Sequence, residues 1–150
     1  MRVVIQRVSR ADVRIAGEVV GHIQKGFCVL VGIEEADTSE DADWLAAKIT
    51  KLRVFNDADG KMNADLADVD GRLLVVSQFT LHAKTKKGTR PSFIRAAKPD
   101  HAIPLYEHFV QACERETGAP VATGEFGAAM DVDLVNDGPV TIWMDTKDKE

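Results

Sequence analysis

Gly26-Phe27-Cys28-Val29-Leu30-Val31-Gly32-Ile33 carries no polar side chain. A strand with one wet face alternates polar and apolar residues, so this strand-length run reads as one covered on both faces. Upstream, Val3 to Val8 and Val13 to Ile15 are β-branched runs, and Gly17 marks a hairpin turn before Val19 to Ile23. Downstream, Thr38-Ser39-Glu40-Asp41 has the form of a capping box. Behind it Ala42, Leu45, Ala46, Ile49 and Leu52 recur at helical spacing, which gives a helix with one face on the core.

Asp59-Gly60 and Asp70-Gly71 mark two turns, and Arg72 to Leu81 reads as the second strong strand. A basic loop from Lys84 to Lys98 follows. A second helix starts near Asp100, tolerates Pro104 in its first turn and stops at Gly118, with the stripe Ala102, Leu105, Tyr106, Phe109, Val110 and Cys113. Val121 to Phe126, Met130 to Val135 and Val140 to Asp145 return to strand pattern, and the charged end after Asp145 reads as a frayed tail. The expected architecture is α+β: a mostly antiparallel or mixed, barrel-like sheet packed with two main helices. No repeat or linker divides residues 1–150, so a single domain is expected.

Composition narrows the function classes. Apolar residues make up 45% and charged residues 29%, values of a globular chain rather than a disordered one. The formal charge of −5 argues against a general nucleic-acid coat and leaves room for a local basic site. No apolar run approaches the ~20 residues of a membrane helix, and the opening residues lack the layout of a signal peptide, so a cytoplasmic setting with no membrane partner is expected. Cys28 and Cys113 lie among apolar residues and read as free, buried thiols. With no CxxC, HExxH or paired Cys/His spacing, neither a protein-built metal site nor a cofactor is expected.

Two segments stand out. In a strand through Val75-Val76-Ser77-Gln78-Phe79-Thr80-Leu81-His82, alternation puts Gln78, Thr80 and His82 on one face, where they either meet solvent or line a site. Asn136-Asp137-Gly138-Pro139-Val140-Thr141 reads on its own as a hairpin turn, and its Gly-Pro peptide is among the least hindered places for a cis bond.

With Gln6-Arg7-Val8, Gly60-Lys61-Met62-Asn63, Gly88 through Phe93 and Phe126-Gly127-Ala128, these two segments make the chain resemble the D-aminoacyl-tRNA deacylases along essentially its whole length. The Ser-Gln-Phe-Thr and Asn-Asp-Gly-Pro-Val-Thr motifs, in this order and separation, are the specific pair. The resemblance implies a homodimeric hydrolase that cleaves the ester between a D-amino acid and the terminal ribose of tRNA. It implies that Ser77, Gln78, Phe79 and Thr80 form the catalytic wall, and that Gly138-Pro139 is a cis pair inserted into the partner subunit's site as a chiral filter. Met130, Asn136, Thr141 and Phe93 are then substrate-binding candidates, and glycyl-tRNA mischarged on tRNA-Ala is a further expected substrate.

Ester hydrolysis needs a water, a proton acceptor and donors for the oxyanion. Thr80 is the obvious hydroxyl, yet no activated nucleophile can be assembled around it. His82 lies outside the family motif and reads as an exposed or satisfied strand histidine. His101 and His108, seven apart on a helix, fall on its solvent side, and His22 is no better placed. That absence favours a mechanism in which the protein positions and the ribose 2′-hydroxyl assists, with Thr80 orienting rather than becoming acylated. Lys84, Lys86, Lys87 and Arg90 are the candidate phosphate contacts in a stretch free of acidic residues, and Phe93 could stack a base; a solvated charged loop is the competing account. A non-catalytic module binding the tRNA acceptor end, and a general small-ester hydrolase, are the alternatives in function.

Overall fold

The computed structural model describes all 150 residues. The elements in order are β1 (Arg2–Ile15), β2 (Glu18–Ile23), β3 (Gly26–Gly32), α1 (Ser39–Thr50), β4 (Phe55–Asn56) and β5 (Met62–Ala64). They continue with β6 (Arg72–Ser77), a short 3-10 turn (Phe79–His82), α2 (Pro99–Thr117), β7 (Ala122–Thr123) and β8 (Asp131–Asp145). The long first strand organises the rest. Its first half, Arg2–Val8, pairs antiparallel with β3, its second half, Ala11–Ile15, pairs antiparallel with β2, and β8 runs antiparallel along both halves. Ala16 and Gly17, both at positive φ, form the two-residue turn into β2.

β3 is the hinge between sheet styles: antiparallel to β1 and parallel to β6, which is itself parallel to β7. The sheet is therefore mixed. It nearly closes on itself, since Gly21 of β2 comes so near Thr123 of β7 that a Cβ at Gly21 would sit 2.5 Å from the Thr123 carbonyl oxygen. Only a glycine permits that approach. As the apolar run predicts, Phe27, Cys28, Val29 and Val31 of β3 are all buried. One face packs on the helices through Ile49, Leu45 and Phe109. The other joins Val8, Val13, Leu74 and Val76 inside the barrel. Removing a ring such as Phe109, fully buried, would cost about 3–5 kcal/mol.

The capping box forms as expected: the Thr38 amide donates to the Asp41 carboxylate at 2.8 Å. Gly118, in the left-handed region at φ 66°, ends α2. No helix is long and apolar enough to cross a membrane.

Three expectations are corrected. The strand expected to run to Leu81 stops at Ser77, and residues 79–82 coil into a 3-10 turn. The reason is Gly32. The turn folds back over the end of β3, where a Cβ at Gly32 would meet the Gln78 carbonyl and the Leu81 Cβ at 2.9 Å each. Second, Asn136–Pro139 is not a hairpin turn. The two strands expected from Met130 to Val135 and from Val140 to Asp145 are one, Asp131–Asp145, because both halves pair with β1 in the same direction. From Asn136 to Thr141 β8 advances five residues while its partner moves only from Val8 to Gln6, so the surplus bulges outward. Third, the chain's end is tied down. The Thr146 amide donates to the Met1 carbonyl at 2.9 Å, and the Lys147 ammonium reaches Asp41 at 3.0 Å.

Candidate functional site

At the mouth of the barrel, between the end of β6 and α2, lies a cavity of about 240 Å³. Its walls are largely apolar. Ser77, Gln78 and Phe79 form one side, Phe126, Gly127 and Ala128 another, and Met130 and Val132 a third. The parallel ladder with β3 carries one bond past the strand, from the Gln78 amide to the Val31 carbonyl at 2.7 Å, before the chain turns. The corner is thus built on a strand buried on both faces.

Around that corner the Gln78 side-chain amide donates to the Thr80 hydroxyl at 2.5 Å; Gln78 lines the cavity, Thr80 is held beside it, and neither side chain is an acid or a base. Phe79, more than half exposed, stands edge-on to Phe93 with centroids 5.1 Å apart. Phe93 in turn belongs to the basic segment, which is closed at its base by paired hydrogen bonds between Lys84 and Ser92 at 2.8 and 3.0 Å. Lys84, Lys86, Lys87 and Arg90 are all exposed. Farther along, Arg95 is held by Glu34 at 3.0 Å. The aromatic pair therefore joins the cationic loop to the cavity rim.

Met130, named from the sequence, lines the cavity, and its thioether lies against Gly124, where no side chain intervenes. Phe126, Gly127 and Ala128, a motif to which the sequence assigns no role, form a wall, with Phe126 packed on Tyr106 at 5.9 Å between ring centroids. Tyr106 itself is structural: its hydroxyl donates to the Val75 carbonyl at 2.8 Å, and burial pushes its pKa up to about 12. Burial likewise raises Cys28 to about 11 and Cys113 to about 12, so neither thiol is a nucleophile near neutral pH.

The histidines differ from expectation. His82 is neither exposed nor satisfied: it is fully buried, and neither ring nitrogen has a hydrogen-bond partner. The shared face of Gln78, Thr80 and His82 dissolves with the strand that was to carry it. His101 and His108 are half-buried, bonded to the Asp37 carbonyl at 3.0 Å and the Asp43 carboxylate at 2.8 Å. No group of three metal-binding side chains comes together.

Gly138 and Pro139 do not line this cavity. Their peptide bond is cis, both residues are exposed, and they crown the bulge of β8. Asn136 braces the bulge from within, its side-chain amide donating to the Val140 carbonyl at 3.1 Å and to the Thr141 hydroxyl at 3.5 Å. The larger brace is Arg7, buried in β1. Its guanidinium donates to the Val54 carbonyl at 2.6 Å and to the Asp137 carbonyl at 3.1 Å, and pairs with the Asp137 carboxylate at 3.3 Å. Sequence reasoning gave Arg7 no role. The available signal was a cation inside the apolar run Val3–Val8, where an unpaired charge would be very costly.

Comparison with known proteins places the chain by family and by fold. The family model described as D-Tyr-tRNA(Tyr) deacylase matches residues 4–145. Curated D-aminoacyl-tRNA deacylases from Flavobacterium johnsoniae and Phocaeicola vulgatus are 61% and 63% identical over 150 residues, covering all of this chain and all of theirs. Among solved structures, a c-Myc DNA Unwinding Element Binding Protein is 38% identical with a TM-score of 0.90, covering 97% of this chain and 99% of its own. A probable eukaryotic D-amino acid tRNA deacylase shares the fold at 18% identity and a TM-score of 0.81, covering 95% of this chain and 97% of its own. A match over nearly the full length, by a family model and by relatives well above half identity, leaves one conclusion: the chain belongs to the D-Tyr-tRNA(Tyr) deacylase family.

Proposed function

We propose that this protein is a D-aminoacyl-tRNA deacylase that works as a homodimer, with the cavity of one protomer closed by the Gly138-Pro139 bulge of the other. A water oxygen attacks the ester carbonyl, the acyl–ribose bond breaks, the ribose oxygen takes a proton, and the free amino acid leaves tRNA. Thr80, held by Gln78, orients the ester or the water and is not acylated. The backbone N–H groups of Phe79 and Thr80, past the Gln78 amide that bonds Val31, serve the oxyanion, and the neighbouring ribose 2′-hydroxyl assists the attack. What supports an RNA-assisted route is the chemistry of the wall: the Thr80 hydroxyl accepts from the Gln78 amide, which is not a base. His82, fully buried, has no path to the substrate.

The observation that carries the proposal is the separation of the two motifs. Val132 lines the cavity and Asn136 begins the bulge on the same extended strand. At ~3.3 Å per residue roughly 13 Å lie between them, before Gly138 is reached. A filter so placed cannot serve its own cavity and fits a neighbour's across a twofold axis. There, main-chain carbonyls set beside the substrate's alpha carbon would collide with an L side chain, leave a D side chain free and accept the hydrogens of glycine. Such a wall is blind to side-chain identity, so broad D-amino-acid tolerance and cleavage of glycyl-tRNA mischarged on tRNA-Ala follow. Lys84, Lys86, Lys87 and Arg90 hold acceptor-end phosphates, and Phe93, set against Phe79, offers a stacking face.

Incubation with matched D- and L-aminoacyl-tRNAs, scored for released amino acid, tests this. Release from the D form and from glycyl-tRNA, with the L form intact, is the expected result. Binding with no release from any would instead identify a non-catalytic acceptor-end module. Cleavage of simple esters without RNA would identify a general hydrolase.

A further inference from the structure

The turn that carries Phe79 and Thr80 is one helical turn long, too short to hold itself. Its anchorage comes from outside. Arg2 donates to the Leu81 carbonyl at 3.0 Å, and Arg2 is itself held by the Asp145 carboxylate at 2.8 Å. Beneath the turn, the His82 ring is fully buried against the glycine end of β3; its Cδ2 would lie 3.1 Å from a Cβ at Gly32. A ring so enclosed, whose nitrogens make no hydrogen bond of normal geometry and have only the Gly32 backbone in range, is an odd choice for packing alone, since an aliphatic side chain would leave no polar atom underused there.

We infer that His82 is a positioning residue, an uncharged peg that keeps the Phe79–His82 turn and the Thr80 hydroxyl seated against β3, and that its protonation releases them. This rests on the assignment of the site to Ser77–Thr80. Burial lowers the affinity of this ring for a proton, and its charged surroundings divide. The Gly32 backbone at the end of β3 and Glu34 just past it favour the charged ring, though Glu34 is already paired with Arg95, while Arg2 of β1 and the Met1 ammonium before it oppose a second positive charge. The Met1 ammonium is in turn occupied by Asp37.

The sign follows. Because the seated ring binds a proton less readily than a released one, the seated turn is fully favoured above the ordinary histidine value of 6.5 and loses ground as pH falls below it. Activity therefore declines reversibly on the acid side through the population of seated turns.

The test compares deacylation of one D-aminoacyl-tRNA by the wild-type enzyme and by His82→Leu from about pH 5 to about pH 8. Each is corrected for spontaneous hydrolysis and normalised to its own rate at the upper end. The wild type should fall roughly tenfold further than His82→Leu between about pH 7 and about pH 5. Parallel profiles would overturn the inference. Should His82→Leu fail to fold, NMR of the wild-type enzyme serves instead. The His82 ring and the Phe79 and Thr80 amides should then titrate with one midpoint, matching the acid fall in rate, and amides that stay fixed while the ring titrates would overturn it. Thr80→Ala with an undiminished kcat would refute the site assignment and this inference together, whereas parallel pH profiles refute His82 alone.

Discussion

The Ser77–Thr80 corner and the Gly138–Pro139 bulge are both stiff, and for opposite reasons. The corner ends a strand buried on both faces, and its order comes from the core: a ladder bond to Val31, a glycine floor at Gly32 and His82 beneath. The bulge stands in solvent with no core around it, and its order comes from polar clamps reaching outward from β1 and from within the loop. A wall fixed by packing and a projection fixed by hydrogen bonds are what a site shared between two chains requires. The first can be a pocket, and only the second can leave its own molecule.

Breaking the projection should have the largest effect. Gly138 sits at φ 115°, in the region that disfavours any L side chain, and a Cβ there would meet the Arg7 guanidinium at 2.5 Å. That guanidinium cannot swing aside, being held at Val54 and Asp137. Gly138→Ala should lower D-aminoacyl-tRNA cleavage about 100-fold and admit measurable L-ester cleavage, read from the two initial rates. Unchanged chirality would show that the bulge is not the filter.

Arg7→Met removes the clamp and leaves the filter residues themselves in place. The Val54 and Asp137 carbonyls lose their donor, at a cost of about 1–3 kcal/mol for each buried one, read from denaturant melts. The D/L rate ratio should narrow by about tenfold, less than for Gly138→Ala, because Gly138 and Pro139 themselves remain while their aim loosens. A full melt penalty with an unaltered ratio would confine Arg7 to stability.

The two regions were unequally legible in the sequence. The apolar run of β3, the capping box of α1 and the stripe of α2 are set by local periodicity, and each forms where the sequence placed it. The end of β6 was misread because its cause lies elsewhere in the chain: Gly32, forty-odd residues away, makes room for the turn. Likewise Asn136-Asp137-Gly138-Pro139 has the residues of a hairpin turn, and only pairing with β1 on both sides makes it a bulge within one strand. The site motifs came from resemblance, and the structure gathers Ser77, Gln78, Phe79 and Met130 at one cavity while leaving Gly138 and Pro139 outside it. Arg7 went unread because its partners are main-chain carbonyls, which carry no signature in a sequence.

The smallest effect concerns how RNA is held next to the packed wall. Neutralising Lys86, Lys87 and Arg90 together should raise KM severalfold and make its dependence on salt shallower, by about two units of log–log slope if all three meet phosphates. The aromatic pair and the wall remain, so kcat for bound substrate should change far less than KM. An unchanged salt slope would make the loop a solvated charged surface.

The most direct trial of the shared site is complementation. Thr80→Ala damages the wall and Gly138→Ala damages the projection, so in the proposed homodimer each variant alone has two faulty sites. Mixed dimers, formed by co-expression and purified on two tags, contain one site with both halves intact if the projection crosses to the partner. Recovery of D-selective cleavage toward half the wild-type rate per dimer is the predicted result. Activity no greater than the average of the two parent variants would mean that wall and filter act within one chain, contrary to the account given.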